Sequence, residues 1–130
     1  MTRTPPQLLV AQHLLALESV DARRGGAAAR VCEKLRRLLA KILGATGFLT
    51  LLRRALILAK AQTPALGVVE VKPDGSLDYV DDLDRASELV LVSQLLDLLV
   101  TFVGAAVTTR ILQDAWPNAV IESLDLERRP

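Results

Sequence analysis

Leucine, valine and alanine recur at the three- and four-residue spacing of an α-helix through the first half of the chain. A first helix is predicted to follow Thr4, because a capping residue with two prolines directly behind it is typical of a helix start. Two arginines and two glycines at positions 23–26 are predicted to end it. A second helix is predicted over residues 27–43, where one face carries Val31, Leu35, Leu38, Leu39 and Ile42.

The next stretch is predicted to contain a helix breaker and a third helix, followed by a change from a helical to a β-strand pattern of residues. Gly44-Ala45-Thr46-Gly47 is predicted to interrupt the helical pattern, and a third helix is expected to run from there to about Gln62. The following Thr63-Pro64 ends it, since the residue before proline disfavours helical geometry. β-branched residues and a Pro-Asp-Gly-Ser turn then predict a β-hairpin over residues 66–80, which must pack on helices or pair with another copy to be stable.

A long apolar helix is predicted to follow the hairpin. Aspartates at its start suit a helix N-terminus, and the helical pattern allows it to run unbroken as far as Trp116, where Pro117 stops it. Residues 89–108 are apolar nearly all the way round, which is typical of a helix buried at the centre of a bundle. Small residues at 104–106 and a seven-residue polar seam fit a helix–helix interface, a solvated stripe or a tight intramolecular crossing equally well; the seam is Ser87, Gln94, Thr101 and Thr108.

These elements predict one mainly α domain over residues 1–130: a bundle of about four helices with a β-hairpin inserted before a long, apolar last helix. Residues 118–130 are predicted to form a C-terminal tail or short amphipathic helix. The length is sufficient for one core, and 51% hydrophobic residues argue against extensive disorder. A mean hydropathy of +0.32 is high for a soluble monomer, so we expect apolar surface to be shared with another subunit or with a membrane.

The cellular compartment is predicted from cysteine usage and from the first residues. A single cysteine, Cys32, forms no internal disulfide and suits a reducing cytoplasm, and Met1–Pro6 lacks the pattern of a secretory signal. A membrane span over 89–108 is the alternative, but Asp97 lies near its middle, where a carboxylate costs about 2.5–3.5 kcal/mol on insertion scales. We therefore expect a soluble, cytoplasmic protein.

Charge is divided between the two halves of the chain. Residues 1–65 contain 11 basic and 3 acidic residues, a balance of +8, whereas residues 66–130 contain 5 basic and 12 acidic residues, a balance of −7. Such asymmetry predicts electrostatic docking of one half on the other, or of one subunit on the next. The basic stretch at 23–60 also raises sequence-nonspecific nucleic-acid binding as an alternative, although aromatic residues for base stacking are absent from it apart from Phe48.

Residues that carry chemistry are few, and no catalytic, cofactor or metal site is expected. The only histidine, His13, lies among leucines, and Cys32 lies within an amphipathic helix, so both are interpreted as structural. The acidic cluster around Asp84 lacks the spacing of a calcium loop and is interpreted as helix capping. The glycines at 44 and 47 lack the preceding strand and lysine of a phosphate-binding loop.

The sequence therefore predicts a non-catalytic adaptor or assembly subunit that self-associates as a homo-oligomer or joins a larger complex. We expect a buried seam on the last long helix, with surface cations on the second and third helices making charged contacts. The candidates for the seam are Leu91, Val92, Leu95, Leu98, Leu99, Phe102 and Val103. The candidates for charged contacts are Arg36, Arg37, Arg53 and Arg54.

Overall fold

A computed structural model describes residues 6–19, 26–78 and 83–117, so the predicted tail at 118–130 lies outside the described residues. This part of the chain contains four α-helices and one two-stranded antiparallel hairpin, which confirms the predicted mainly α bundle. The helices are α1 (Pro6–Ser19), α2 (Gly26–Gln62), α3 (Arg85–Val103) and α4 (Ala105–Ala115). A 3-10 helix (Pro64–Val68) and strands β1 (Glu70–Val71) and β2 (Leu77–Asp78) separate α2 from α3.

The second and third predicted helices are the two halves of α2. The helix is 37 residues long, but Gly44 within it has a non-helical backbone, with φ +80° and ψ 160°. That conformation is essentially restricted to glycine, because a Cβ atom would clash with the flanking peptide groups. The predicted interruption at 44–47 is therefore confirmed at its first residue.

The prediction of one unbroken helix as far as Trp116 is wrong. The chain turns at Gly104, which has φ +90° and ψ 160° and separates α3 from α4. The Gly104 amide donates to the carbonyl of Val100 at 2.9 Å, while its own carbonyl accepts from the amide of Thr108 at 3.1 Å. One residue thus ends α3 and begins α4. α4 ends at Ala115, two residues before the predicted stop at Pro117.

The break at Gly104 also divides the predicted polar seam. Ser87 and Thr108 are buried, Gln94 is half-buried and Thr101 is exposed. The hydroxyl of Thr108 has no hydrogen-bond partner among the described residues, whereas Thr101 donates to the carbonyl of Asp97 at 2.9 Å. The four side chains therefore do not form one continuous stripe.

The hairpin is confirmed but is shorter than predicted, because its first residues form the 3-10 helix instead. Leu66 and Val69 are both fully buried, and a 3-10 turn brings residues three apart onto the same side. They pack with Leu56, Ala59 and Leu91, so burial of this pair outweighs the β-propensity of the segment. The hairpin packs on helices, through the half-buried side chains of Val71 and Leu77.

The main core lies between α1, α2 and α3. α3 contacts both other helices, and its buried side chains recur at four-residue intervals, mostly as adjacent pairs, as expected for a helix that buries one wide face. Residues from both halves of α2 belong to the same cluster; examples are Leu35 and Leu39 before the break and Phe48 and Leu52 after it. The bend at Gly44 therefore folds one long helix onto a single core.

A buried carboxylate fastens three helices together at the end of α1. Glu18 accepts a hydrogen bond from the indole Nε1 of Trp116 at 2.8 Å and forms an ion pair with the Nζ of Lys34 at 2.7 Å. The Lys34 ammonium lies 5.5 Å from the centre of the Trp116 ring, and the guanidinium of Arg30 donates to the Glu18 backbone carbonyl at 2.8 Å. Because these partners belong to other helices, this Glu18 network fixes α1, α2 and the end of α4 relative to one another.

A second buried carboxylate lies at the start of α2. Glu88 on α3 accepts a hydrogen bond from the backbone amide of Ala28 at 3.1 Å. The first amides of a helix have no partner within the helix and carry partial positive charge, so a carboxylate there is favourable. The contact joins the second half of the chain to the first at a point where packing alone would leave a polar group unsatisfied.

The Gly104 backbone is the first testable feature. Gly104→Ala is expected to lower the free energy of unfolding by about 1–3 kcal/mol, since alanine is strained in this backbone region even though no atom lies within 4 Å of the position that its Cβ would take. Gly67→Ala is the matched control, because Gly67 has equal space around it and no positive φ. Urea unfolding followed by circular dichroism measures both. Equal midpoints for the two variants would contradict the assignment of Gly104 as a required break.

The Glu18 network gives a second prediction. Glu18→Gln is expected to lower the free energy of unfolding by about 1–2 kcal/mol, because the amide keeps one acceptor for the indole but removes the charge that Lys34 meets. Glu33→Gln serves as the control: Glu33 also pairs with two cations, but its side chain is 35% exposed, and a change within about 0.5 kcal/mol is expected. A loss no larger for Glu18→Gln than for Glu33→Gln, in urea unfolding, would show that the network is dispensable.

Candidate protein-docking cleft

An apolar cleft lies between the second half of α2 and the end of α3. Its volume is about 380 Å³, within the range of sites that bind small ligands or protein side chains. We call it the Phe102 cleft; it is lined by Leu43, Gly47, Thr50, Leu51, Arg54, Phe102 and Val103. Arg54 is the only charged residue among these seven.

One wall is formed by α2 on both sides of its bend at Gly44. Gly47, Thr50, Leu51 and Arg54 follow the bend and are separated by three, one and three positions, which places them on one side of a helix. Leu43 lies directly before the bend. Gly47 and Thr50 have small side chains, and Leu43 packs closely against Gly47, where an added Cβ would lie 3.0 Å from the Cβ of Leu43. The sequence thus builds a mainly apolar wall with one cation, Arg54, at its last position.

The other wall is formed by the last two residues of α3, directly before the chain turns at Gly104. Phe102 is 63% exposed and Val103 is half-buried. Large exposed apolar side chains occur beside both glycine breaks: Ile42, 55% exposed, precedes the break in α2, and Val107, 44% exposed, lies in the first turn of α4. Exposed apolar side chains also occur away from the cleft, for example Ile57 (67%) and Val68 (58%), so it is the position of Phe102 at the edge of an apolar cleft that indicates a surface for contact with another molecule.

The structure separates the predicted seam on the last helix into two groups. Leu91, Val92, Leu95 and Leu99 are buried by the chain's own helices, and Leu98 is half-buried. They form part of the core of the single chain and offer little free surface. Phe102, which is exposed, and Val103, which is half-buried, are the two predicted seam residues that line the cleft.

The predicted charged contacts divide in a similar way. Glu33 forms ion pairs with Arg36 and Arg37 along the same helix. Arg53 and Arg54 are exposed and, within the described residues, have no ion-pair partner. Only Arg54 lines the cleft, so the structure distinguishes two neighbouring arginines that the sequence could not tell apart.

The described ion pairs do not dock the basic half onto the acidic half. Glu18 pairs with Arg30 and Lys34, Glu33 pairs with Arg36 and Arg37, and Arg85 pairs with Glu88. Each of these five pairs joins residues of the same half. Among the described residues, hydrogen bonds join the halves instead: from Trp116 to Glu18 and from Ala28 to Glu88 in buried surroundings, and from Arg85 to Ser19 at the surface.

The residue types that could take part in catalysis or metal binding do not form a reactive site among the described residues. Cys32 is buried in the core, and this burial raises the pKa of its thiol to about 12. His13 is exposed on α1, and Asp84 caps α3 by accepting a hydrogen bond from the amide of Ser87 at 3.0 Å, as predicted. Asp81 and Asp82 lie outside the described residues. No group of three or more metal-ligating side chains converges in residues 6–19, 26–78 and 83–117.

Sequence reasoning missed the α2 wall of the cleft and the Glu18 network. The two glycines at 44 and 47 are recognisable as a breaker, but the position of Gly47 in the same cleft as Phe102 depends on the bend in α2 and the end of α3. Glu18 and Trp116 are 98 residues apart. The sequence signal that could have indicated the cleft is a glycine within a strongly apolar stretch, which occurs at both breaks.

Two helices, α2 and α3, are long and apolar enough to cross a membrane by length and composition. Within their most apolar windows, 33% of the residues of α2 and 39% of those of α3 are buried. A core helix of a soluble bundle meets the same criteria of length and composition, so this finding alone does not distinguish the two environments.

Comparisons with known proteins give no functional assignment. The chain matches no protein-family model, no curated protein and no solved structure.

The burial of Cys32 yields a prediction about reactivity. A pKa of about 12 in place of the ordinary 9.0 leaves roughly a thousandfold less thiolate at pH 8. Alkylation of the folded chain by iodoacetamide is therefore expected to be at least about 100-fold slower than in urea, and to rise with pH toward 12 for as long as the fold persists. Mass spectrometry of timed samples measures both rates. Comparable labelling of folded and unfolded chains would exclude a buried thiol.

Proposed function

We propose that this chain is a non-catalytic protein–protein interaction or assembly subunit that docks through the Phe102 cleft. The observation that carries the proposal is Phe102 itself, a large aromatic side chain left 63% exposed at the edge of an apolar cleft of about 380 Å³. Exposed aromatic residues beside apolar depressions are the anchors that protein interfaces use most.

The energetics favour covering this surface. Burying a phenylalanine side chain completely stabilises by about 1.5–3 kcal/mol, and Val103 adds further apolar area in the lining of the same cleft. The seam residues that α1 and α2 already cover gain nothing more from association. The proposed interface is therefore centred on the cleft, and not along the whole last long helix as the sequence predicts.

The proposal includes two arrangements, self-association and membership of a larger complex. Both use the same apolar anchor, and the high mean hydropathy of +0.32 is consistent with either. The cleft holds no convergent acid, base or nucleophile among its seven lining residues, so its composition suits recognition better than catalysis.

Membrane association is the second candidate. It rests on the low buried fraction of the apolar windows of α2 and α3, 33% and 39%. Against it, Asp97 on α3 is half-buried, with a pKa raised by desolvation, and such a carboxylate is costly to move further from water. Protein docking is therefore the first proposal.

Photo-crosslinking at the cleft tests both candidates. Replacing Phe102 with p-benzoylphenylalanine keeps an aromatic anchor in place, and irradiation in cells of the native host is expected to give a protein adduct of defined mass. Val68 is the matched control, since it is 58% exposed at the end of the 3-10 helix and outside the cleft lining. The same replacement there is expected to give no such adduct.

The mass of the adduct identifies the occupant. Twice the mass of the chain indicates self-association, and any other protein mass indicates a larger complex. Lipid adducts at position 102 would contradict protein docking and support membrane association instead. Adducts of equal yield at positions 68 and 102, or no adduct at position 102, would contradict the proposal.

A further inference from the structure

We infer that the occupant of the Phe102 cleft is an amphipathic helix of a different protein, which presents a carboxylate beside its apolar side chains. This inference rests on the proposed docking function and specifies the chemistry of the partner. It follows from the shape of the cleft, from its charge and from the repulsion between two copies whose clefts face each other.

The shape fits a helix. Gly47, Thr50, Leu51 and Arg54 lie on one helical face of α2 after the bend at Gly44, and Thr50 and Arg54 are exposed there, so a second helix can pack along this face. A helix that enters such a groove anchors itself with apolar side chains three, four and seven positions apart. A cavity of about 150 Å³ holds one benzene molecule, so about 380 Å³ has room for two large apolar side chains.

The charge fits a carboxylate. Arg54 is exposed at the cleft, has no ion-pair partner within the described residues, and no acidic residue lines the same surface. In contrast, Arg36 and Arg37 are satisfied by Glu33. A guanidinium binds a carboxylate through two parallel hydrogen bonds and binds it most strongly where water is displaced, as at the edge of an apolar groove.

A second copy fits the cleft less well when two clefts face each other across a symmetry axis. In that arrangement Arg54 of each copy would face the other, with no carboxylate among the lining residues. Like charges that face each other across an interface disfavour association. A face-to-face dimer is therefore disfavoured, and a copy that docks through a different, acidic surface is an outcome that the peptide selection distinguishes.

A displayed peptide library tests the inference directly. The library contains helical peptides of about 16 residues, roughly four turns, with randomised positions, and it is selected on the whole chain. Peptides that bind wild type but not Phe102→Asp are retained, since these depend on the cleft. They are expected to be enriched in Asp or Glu adjacent to apolar residues at three- and four-residue spacing.

The outcomes separate the inference from the proposed function. Cleft-dependent peptides without enrichment of acidic residues would overturn the acidic partner and leave docking in place. If no selected peptide depends on Phe102, docking through the cleft is wrong as well. Selected peptides that resemble segments of this chain would replace the foreign partner with a second copy.

Charge reversal provides the quantitative test. For an enriched acidic peptide, Arg54→Glu is expected to weaken binding by about tenfold or more, and a peptide with lysine in place of its carboxylate is expected to recover that loss. Arg53→Glu is the matched control, because it makes the same charge change one residue away on an exposed side chain that does not line the cleft. Circular dichroism verifies that both variants fold. Equal weakening by the two variants would show that only the overall field matters and would overturn a contact at Arg54.

Discussion

The arrangement of this bundle depends on a backbone conformation that only glycine adopts at low cost. Gly44 and Gly104 have φ of +80° and +90°, each with ψ of 160°, and both interrupt helices that are otherwise continuous in sequence pattern. A straight helix of 37 residues would be about 55 Å long, too long for one compact core. With the bend, Leu35 and Leu52 from opposite sides of Gly44 belong to the same buried cluster.

The same two breaks explain why apolar side chains remain accessible at the cleft. A helix that turns away at a glycine no longer covers the side chains of its last turn, and Leu43 and Val103 are the residues directly before each turn. About 15 Å further back along α2, the Glu18 network holds the bundle together through polar contacts. The bundle is thus held by polar contacts around Lys34, whereas the surface around the cleft is less covered.

Periodicity and capping rules were sufficient for most of the fold. The interruption of α2, the turn of the hairpin and the capping of α3 by Asp84 all follow from local residue preferences. The break at Gly104 did not follow, because a glycine inside a helix costs only about 1 kcal/mol and its neighbours are apolar residues that a helix accommodates. Whether such a glycine bends the chain is decided by the packing of α4 against α2 and α3.

The functional surface was only partly predictable, for a related reason. By residue type, Phe102, Val103 and Arg54 are candidates for an interface, but so are the leucines of α3 and the other arginines of α2. Only tertiary packing shows which leucines are buried and which arginines are paired within the chain. Burial depends on which face of α3 meets α1 and α2, and pairing depends on which arginine lies one turn from Glu33. The Glu18 network was beyond local rules, because it joins groups that are distant in sequence.

The position of Trp116 has a practical consequence. It is the only tryptophan of the chain, and its indole is held between a carboxylate and an ammonium contributed by two other helices. Its fluorescence is sensitive to both charges, so emission changes when α1, α2 and α4 separate. Because the indole does not line the cleft, this intrinsic optical label reports assembly of the bundle independently of what occupies the surface around Phe102.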